Sequence, residues 1–311
     1  MAKTNLYKGY AFFHSELITS FEFAFNNYSK SGEAEIVCSL DLNLTCQNYK
    51  LQKTPDGFLL KNKYGIAVHG DETVDEILIN QKLIDLLRSE DNKIFAVDFK
   101  NLEAKPVHFN SEFGNVKLVF TDDAPTMEID GVKMHRSQGI SPWKDSACKV
   151  QDIVKRGMSV LDTCTGLGYT AIIAVRHGAK SVQSFERNPA VLKTAALNPW
   201  SAEFFTDSRI QSNSGSVFDA IKNFSDGQFD AIVHDPPRFS HAGELYSEEF
   251  YNNAFRVLQY NGKMFHYIGD PDSAFGKKHF GGINKRLREA GFETEISRKN
   301  YGIICEKRGF K

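Results

Sequence analysis

The chain has 311 residues, near-average shares of hydrophobic (41%) and charged (25%) residues and a formal net charge of −1. That length calls for about two domains, and the composition excludes disordered, collagen-like and disulfide-stapled classes. The balanced charge removes the footprint that non-specific nucleic-acid binding requires, so a small-molecule partner is expected instead.

The N-terminal MAKTNLYKGYAFFHSELITS holds no continuous apolar run of leader length, and no stretch reaches the roughly 20 apolar residues of a membrane span. A cytoplasmic protein with no membrane partner is the expectation. The cysteines (Cys38, Cys46, Cys148, Cys164 and Cys305) lack C-x-x-C spacing and read as reduced thiols, with no disulfide framework and no metal site. Residues 34–40, 43–53 and 58–68 are β-rich and separated by turn signals such as Pro55-Asp56-Gly57. After Gly70, ETVDEILINQKLIDLL sets Val74, Ile77, Leu78, Leu83, Leu86 and Leu87 at helical intervals and predicts one amphipathic helix. Short strands follow at 94–97 and 116–120, and residues 134–150 form a linker that enters a helix from Asp145.

From Val160 the pattern changes to SVLD, YTAIIAVRHG, SVQSFE and AVLKTAAL, the alternation of βαβ units on a parallel sheet. Strands at 229–234 and 262–268 alternate with helices at 243–258 and 283–290, and strands 293–297 and 302–306 close the chain. The expected architecture is a small mixed α+β domain over residues 1–133, acting as a lid, a substrate-binding part or a homodimer surface. A doubly wound α/β sheet with a terminal β-hairpin follows over 134–311.

The chemistry-bearing motifs fall at the strand ends of the second part. Asp162-Thr163-Cys164-Thr165-Gly166-Leu167-Gly168-Tyr169 follows the first strand, and its glycines let the backbone turn tightly and approach a ligand. Glu186 ends the next strand about 20 residues beyond the glycines, with Arg187 and Asn188 beside it, where an acid accepts hydrogen bonds from both hydroxyls of a ribose. Ser216 and Val217 follow the third strand and are candidates to contact a base. The fourth ends in His234-Asp235-Pro236-Pro237-Arg238-Phe239. Two consecutive prolines cannot continue a paired ladder, so the strand must stop and present Asp235 at the crevice where strand order reverses.

Glycines 166 and 168 with Ala171 also satisfy the dinucleotide pattern G-x-G-x-x-A, which keeps an NAD-dependent oxidoreductase as the competing class. Asp162 stands where pyrophosphate needs open space, the fold starts halfway along the chain, and it ends in a hairpin; all three count against that class. In this order the motifs resemble those of class I S-adenosylmethionine (SAM)-dependent methyltransferases. They resemble still more the mostly archaeal predicted methyltransferases that share PTxEIDGxxMHR, VLDTCTGLGYTA, NPWS, HDPPRFSxAGELYS and FHYxGxP. The resemblance covers the C-terminal 60% or so of the chain and the N-terminal part faintly. It departs at Ser216, where Asp is common.

The resemblance implies a Rossmann-like methyltransferase sheet and SAM as cofactor, held by Asp162, Thr163, Thr165, Gly166, Gly168, Tyr169, Glu186, Arg187, Asn188, Ser216, Val217 and Asp235. Asp235, Arg238 and Tyr246 are the catalytic candidates. Arg238 offers a permanently charged fork suited to a carboxylate or phosphate, not a face for a nucleobase. RNA methylation is therefore a lesser alternative, and methyl transfer to a small nucleophile leads. Attack at the methionine Cγ is the other alternative, as aminocarboxypropyl transfer or as closure of SAM alone to azetidine-2-carboxylate with release of methylthioadenosine. His234, His241, Glu244, Tyr246 and His266 are further proton-acceptor candidates, with His135 and Arg136 from the preceding loop. Tyr169, Phe239, Tyr246 and Phe265 are candidates to wall a sulfonium, and Cys164 reads as packing.

Overall fold

The computed structural model describes residues 10–30, 32–69, 72–90, 93–99, 101, 103–239 and 242–309. The chain divides into two compact units, one reaching Pro142 and including Lys193–Ala202, the other comprising Trp143–Leu192 and Glu203 onward.

In the first unit β1 (Ala11–Phe13) leads into α1 (Ser15–Tyr28), whose Leu17, Ile18, Phe21 and Ala24 are buried on one face. Strands β2 (Glu33–Cys38), β3 (Gln47–Thr54), β4 (Gly57–His69) and β5 (Glu72–Asn80) pair antiparallel in chain order, and α2 (Gln81–Ser89) follows. Alternate sheet residues Tyr49, Leu51, Phe58, Leu60, Ile77 and Ile79 meet Phe21 of α1 and Leu83, Ile84 and Leu87 of α2 in one core.

The single helix expected after Gly70 is therefore a strand followed by a helix. Ile77 and Ile79 alternate inward while Leu78 is exposed, the period of a strand paired with β4. The helix starts only where Asn80 caps it, its side chain accepting from the Leu83 amide at 2.9 Å. Further on, β6 (Phe95–Asp98) pairs with β1 and β7 (Glu103–Pro106). Strands β8 (His108–Ser111), β9 (Gly114–Val119), β10 (Thr126–Ile129) and β11 (Val132–Lys133) form a third antiparallel sheet.

The second unit is entered by α3 (Pro142–Val150). The elements that follow in the chain are β12 (Ser159–Asp162), α4 (Tyr169–Arg176), β13 (Ser181–Glu186), α5 (Pro189–Ala196), whose second half belongs to the first unit, α6 (Ala202–Thr206), β14 (Ile210–Ser214), α7 (Val217–Ala220) and β15 (Phe229–His234). They continue with α8 (Glu248–Val257), β16 (Leu258–Tyr267), α9 (Ala274–Glu289), β17 (Glu293–Ser297) and β18 (Gly302–Glu306). The seven strands are ordered β14-β13-β12-β15-β16-β18-β17, with β18 alone antiparallel to its neighbours. Strand order reverses between β12 and β15, so their carboxyl ends flank a switch-point crevice. This is the expected doubly wound α/β sheet with its terminal hairpin.

Two helices differ from expectation. Residues 243–258 split into a 3-10 turn (Gly243–Tyr246) and α8, because the Ser247 hydroxyl caps the latter by accepting from the Phe250 amide at 3.1 Å. The last helix starts earlier, at Ala274, where Ser273 caps it. Whereas the sequence reading has one boundary at 133/134, the chain passes to the second unit after Pro142, returns for Lys193–Ala202 and leaves again. Within the first unit the Trp200 indole N–H donates to the Leu42 carbonyl at 2.8 Å. Among the described residues no helix is long and apolar enough to cross a membrane.

Candidate functional site

The turn after β12 is held from below by a chain of hydroxyls. Asp162, 1% exposed, accepts from Ser184 Oγ at 2.6 Å and from Thr170 Oγ1 at 3.0 Å, and Thr165 Oγ1 bonds Ser184 Oγ at 2.6 Å. Burial pushes the Asp162 carboxyl up to about 7, with the Ser184 and Thr170 hydroxyls opposing the shift. Both of its oxygens are thus engaged by β13 and α4, so it fixes the turn from inside.

Gly166 and Gly168 adopt left-handed φ of 54° and 79°. At Gly168 a Cβ would also stand 2.8 Å from the Phe204 ring. Tyr169, 1% exposed, packs edge-on to Trp143 with centroids 5.3 Å apart, so it is a core residue.

Glu186 reaches back to this turn from the end of β13. Its Oε2 accepts from the Gly166 amide at 3.2 Å and its Oε1 from the Asn188 amide at 2.9 Å. Burial pushes this carboxyl up to about 7 as well, against those backbone N–H groups. Asn188 uses its Oδ1 on the Ala190 amide at 2.9 Å, and Arg187 lies on the surface, paired with Glu244 at 2.9 Å. Beyond β14, Gly215 donates to the Glu186 carbonyl at 2.8 Å and has open space where a Cβ would stand. Ser216 precedes α7, and Val217, 3% exposed, belongs to the core.

At the end of β15 lies a cluster that the sequence reading did not anticipate. Lys149 of α3, 1% exposed at its side chain, places its ammonium 2.6 Å from Asp235 Oδ2 and 2.9 Å from Asp145 Oδ2. The same ammonium sits 4.4 Å from the centre of the Tyr267 ring. Burial opposes its charge, but the two carboxylates outweigh burial and raise the pKa further. Asp145 is fully buried whereas Asp235 is 16% exposed, so the Asp235 carboxylate is the member of the trio that faces outward. The only sequence signal was the Asp145–Lys149 spacing on one helix face, which ordinarily marks a solvated pair.

Around the D-P-P turn the aromatic and imidazole groups are structural. His234 Nε2 faces the Leu245 carbonyl at 3.0 Å, so that nitrogen carries the proton and Nδ1 accepts from Thr163 Oγ1 at 2.8 Å. Burial lowers its pKa to about 3 and keeps the ring neutral. His266 is buried against Tyr251, whose hydroxyl is 2.9 Å from Nε2, and burial likewise lowers its pKa. Tyr246, 5% exposed, donates its hydroxyl to the Pro237 carbonyl at 2.9 Å and pins the turn. Phe239 packs edge-on to Tyr246, centroids 5.4 Å apart, and Arg238 is exposed on the same loop. Phe265 is fully buried. Burial raises the Cys164 thiol well above its ordinary value, as a packing residue requires. His135 bonds Thr126 Oγ1 at 3.0 Å within the first unit, and His241 lies outside the described residues.

Residues 146–292 match the methyltransferase small domain family. The uncharacterized protein MJ1233 of Methanocaldococcus jannaschii is 40% identical over 280 residues, covering 89% of this chain and 91% of that one. Polyamine aminopropyltransferase 2 of Streptomyces coelicolor is 27% identical over 133 residues, which span 40% of this chain and 24% of the enzyme. Among solved structures, a spermidine synthase in complex with the transition-state analogue AdoDATO superposes with a TM-score of 0.56 at 17% identity. That match covers 66% of this chain and 73% of the synthase, and it speaks for the fold.

Proposed function

The chain belongs to the family it shares with the Methanocaldococcus protein, inside the class I methyltransferase superfamily, and on that premise we propose that it methylates the amine of a small molecule held by Asp235, with SAM as donor. The observation that carries this reading is the outward-facing Asp235 carboxylate at the switch-point crevice, backed by the buried ammonium of Lys149.

The residues present fit SAM. Glu186 is held by the backbone N–H groups of Asn188, Gly166 and Arg187, and its two oxygens together offer about four acceptor sites, so capacity is left for ribose hydroxyls. Gly166 brings bare backbone to the crevice, and the open space at Gly215 suits the flat face of a base. Thr163, Thr165 and Asp162 enter as the internal scaffold of that turn. When bound, SAM supplies an electrophilic carbon on a positively charged sulfur.

The chain's own groups supply orientation. Asp235 draws a neutral amine to the crevice by accepting a hydrogen bond from its N–H, which turns the nitrogen lone pair toward the donor's carbon. Arg238 offers its guanidinium fork to an anionic group on the same substrate. An acceptor carrying both an amine and an acid answers both residues. Tyr246 fixes the turn that presents Asp235 and moves no proton, since its hydroxyl is committed to Pro237.

A second reading is attack on the carbon chain of the donor, with methylthioadenosine as the by-product; the likeness to a polyamine aminopropyltransferase favours it. Mass spectrometry of the protein incubated with SAM and a panel of amino acids and diamines separates the two. S-adenosylhomocysteine with a methylated amine is the expected product pair. Methylthioadenosine would instead carry the second reading, and absence of SAM binding by calorimetry would overturn both.

A further inference from the structure

We infer that Lys149 is a positioning residue for the reaction: it holds the Asp235 carboxylate in place and in its anionic form, while Asp145 holds Lys149 in turn. The inference rests on the reading of Asp235 as the group that meets the acceptor.

Lysine and aspartate four residues apart on a helix normally form a solvated pair of little energetic consequence. On α3 the pair is turned inward, with side chains 1% and 0% exposed. Burying an ammonium is costly, and an apolar side chain of the same volume would fill the site without that cost. Packing alone therefore does not account for Lys149. Its geometry does, because the ammonium lies 2.9 Å from Asp145 Oδ2 and makes a short charge-assisted hydrogen bond to Asp235 Oδ2 at 2.6 Å, which anchors that carboxylate oxygen to α3.

The charge balance points the same way. Two carboxylates on one ammonium leave a unit of negative charge on the trio, and Asp235 is its partly exposed member. The titratable groups around Asp235 come from every neighbouring element: Asp145 and Lys149 from α3, Asp162 and Cys164 from β12 and its turn, Tyr246 from the 3-10 turn, and Tyr267 from β16. Lys149 is the cation of that set. Arg238 is on the same loop but exposed. Without Lys149, the two carboxylates that now share its ammonium would remain neighbours without that cation, which favours protonation of one of them. A protonated Asp235 would lose the negative charge that attracts and orients the substrate's amine N–H.

The test reads Asp235 directly. In protein labelled with carboxyl-13C aspartate, its resonance is identified by its loss in Asp235→Asn and followed through a pH titration. Lys149→Met should move that titration upward by about 2 pH units, and Lys149→Arg should restore most of the wild-type position. In turnover, Lys149→Met should lower kcat about 100-fold with the KM for SAM changed no more than about twofold, and shift the acid limb of the pH profile in the same direction. A merely structural lysine would lower the melting temperature and leave the titration where it was; that result overturns the inference. Should Lys149→Met not fold, Asp145→Asn gives the opposite test. It leaves the whole charge of Lys149 to Asp235, whose titration should fall by about 1 pH unit, and an unmoved resonance again overturns the inference. A wild-type protein that shows the titration but neither binds nor consumes SAM overturns the proposed function and not the role of Lys149.

Discussion

At Glu186 and Asp162, burial raises carboxyls of ordinary value 4.5 and 3.8 to about 7. The folded chain therefore keeps protons between about pH 4 and 7 that the unfolded chain has released, and the stability from these groups is present at acid pH and lost as pH rises through 7. Ribose hydroxyls prefer the ionised form of Glu186, so the ligand works against this trend. SAM should accordingly raise the melting temperature more at pH 8 than at pH 6 in differential scanning fluorimetry; equal shifts would take Glu186 out of the cofactor site. Glu186→Gln should weaken SAM binding at pH 8 by about tenfold or more, roughly the 1.5–3 kcal/mol of a charge-assisted hydrogen bond, measured by calorimetry. Asp162→Ala should act through the fold, because it strands the Ser184 and Thr170 hydroxyls. A loss of about 2–3 kcal/mol in urea unfolding is expected, and an unchanged midpoint would contradict the internal role of Asp162. The sequence made the positions of Asp162 and Glu186 legible because strand ends and glycine turns are local signals. Lys149 was hidden because its partner Asp235 is 86 residues away in the chain, and nothing in α3 by itself distinguishes an inward pair from a solvated one.

Among the elements, β12 and β15 of the second unit were readable because strands buried on both faces are short, largely apolar runs. The stretch 72–80 was not. Val74, Ile77 and Leu78 suit a helical period as well as Ile77 and Ile79 suit an alternating one, and pairing with β4 decides between them. Asn80→Ala should remove the cap of α2 and cost about 1 kcal/mol, seen as a lower denaturant midpoint with unchanged slope. The glycine turn permits a sharper contrast. Gly168→Ala meets both a left-handed φ of 79° and the Phe204 ring at 2.8 Å, whereas Gly215→Ala meets strained backbone but open space. Gly168→Ala should be the more destabilising, by about 1–3 kcal/mol over Gly215→Ala. Comparable losses in chemical denaturation would show that strain in φ alone governs the turn.

On the scale of the molecule, the sequence announced two parts but placed one boundary where the chain crosses three times. Nothing in AVLKTAALNPWS marks its second half as serving the first unit, since the helical pattern runs on unbroken to Ala196. A fragment of residues 143–311 would keep this segment and lose the rest of the unit to which it belongs. Trp200, whose indole N–H donates to the Leu42 carbonyl in the whole chain, would lose that partner. The fragment is expected to bind a hydrophobic dye and to melt below the intact protein, and a monomeric fragment that melts as the intact protein does would show that residues 193–202 can rest on the second unit alone.

The tie from Trp200 to the Leu42 carbonyl also sets a timetable for synthesis. An N-terminal unit that needs residues 193–202 is not finished when the ribosome reaches Pro142. At about 5–20 residues per second, roughly 3–12 s of further translation separate the two points. During that interval β12, α4 and β13 emerge while the earlier unit is still missing its last segment. Translation speed across codons 143–202 therefore governs how long a nascent chain must be shielded by chaperones, and slowing it there should lower the soluble yield more than slowing it after codon 202.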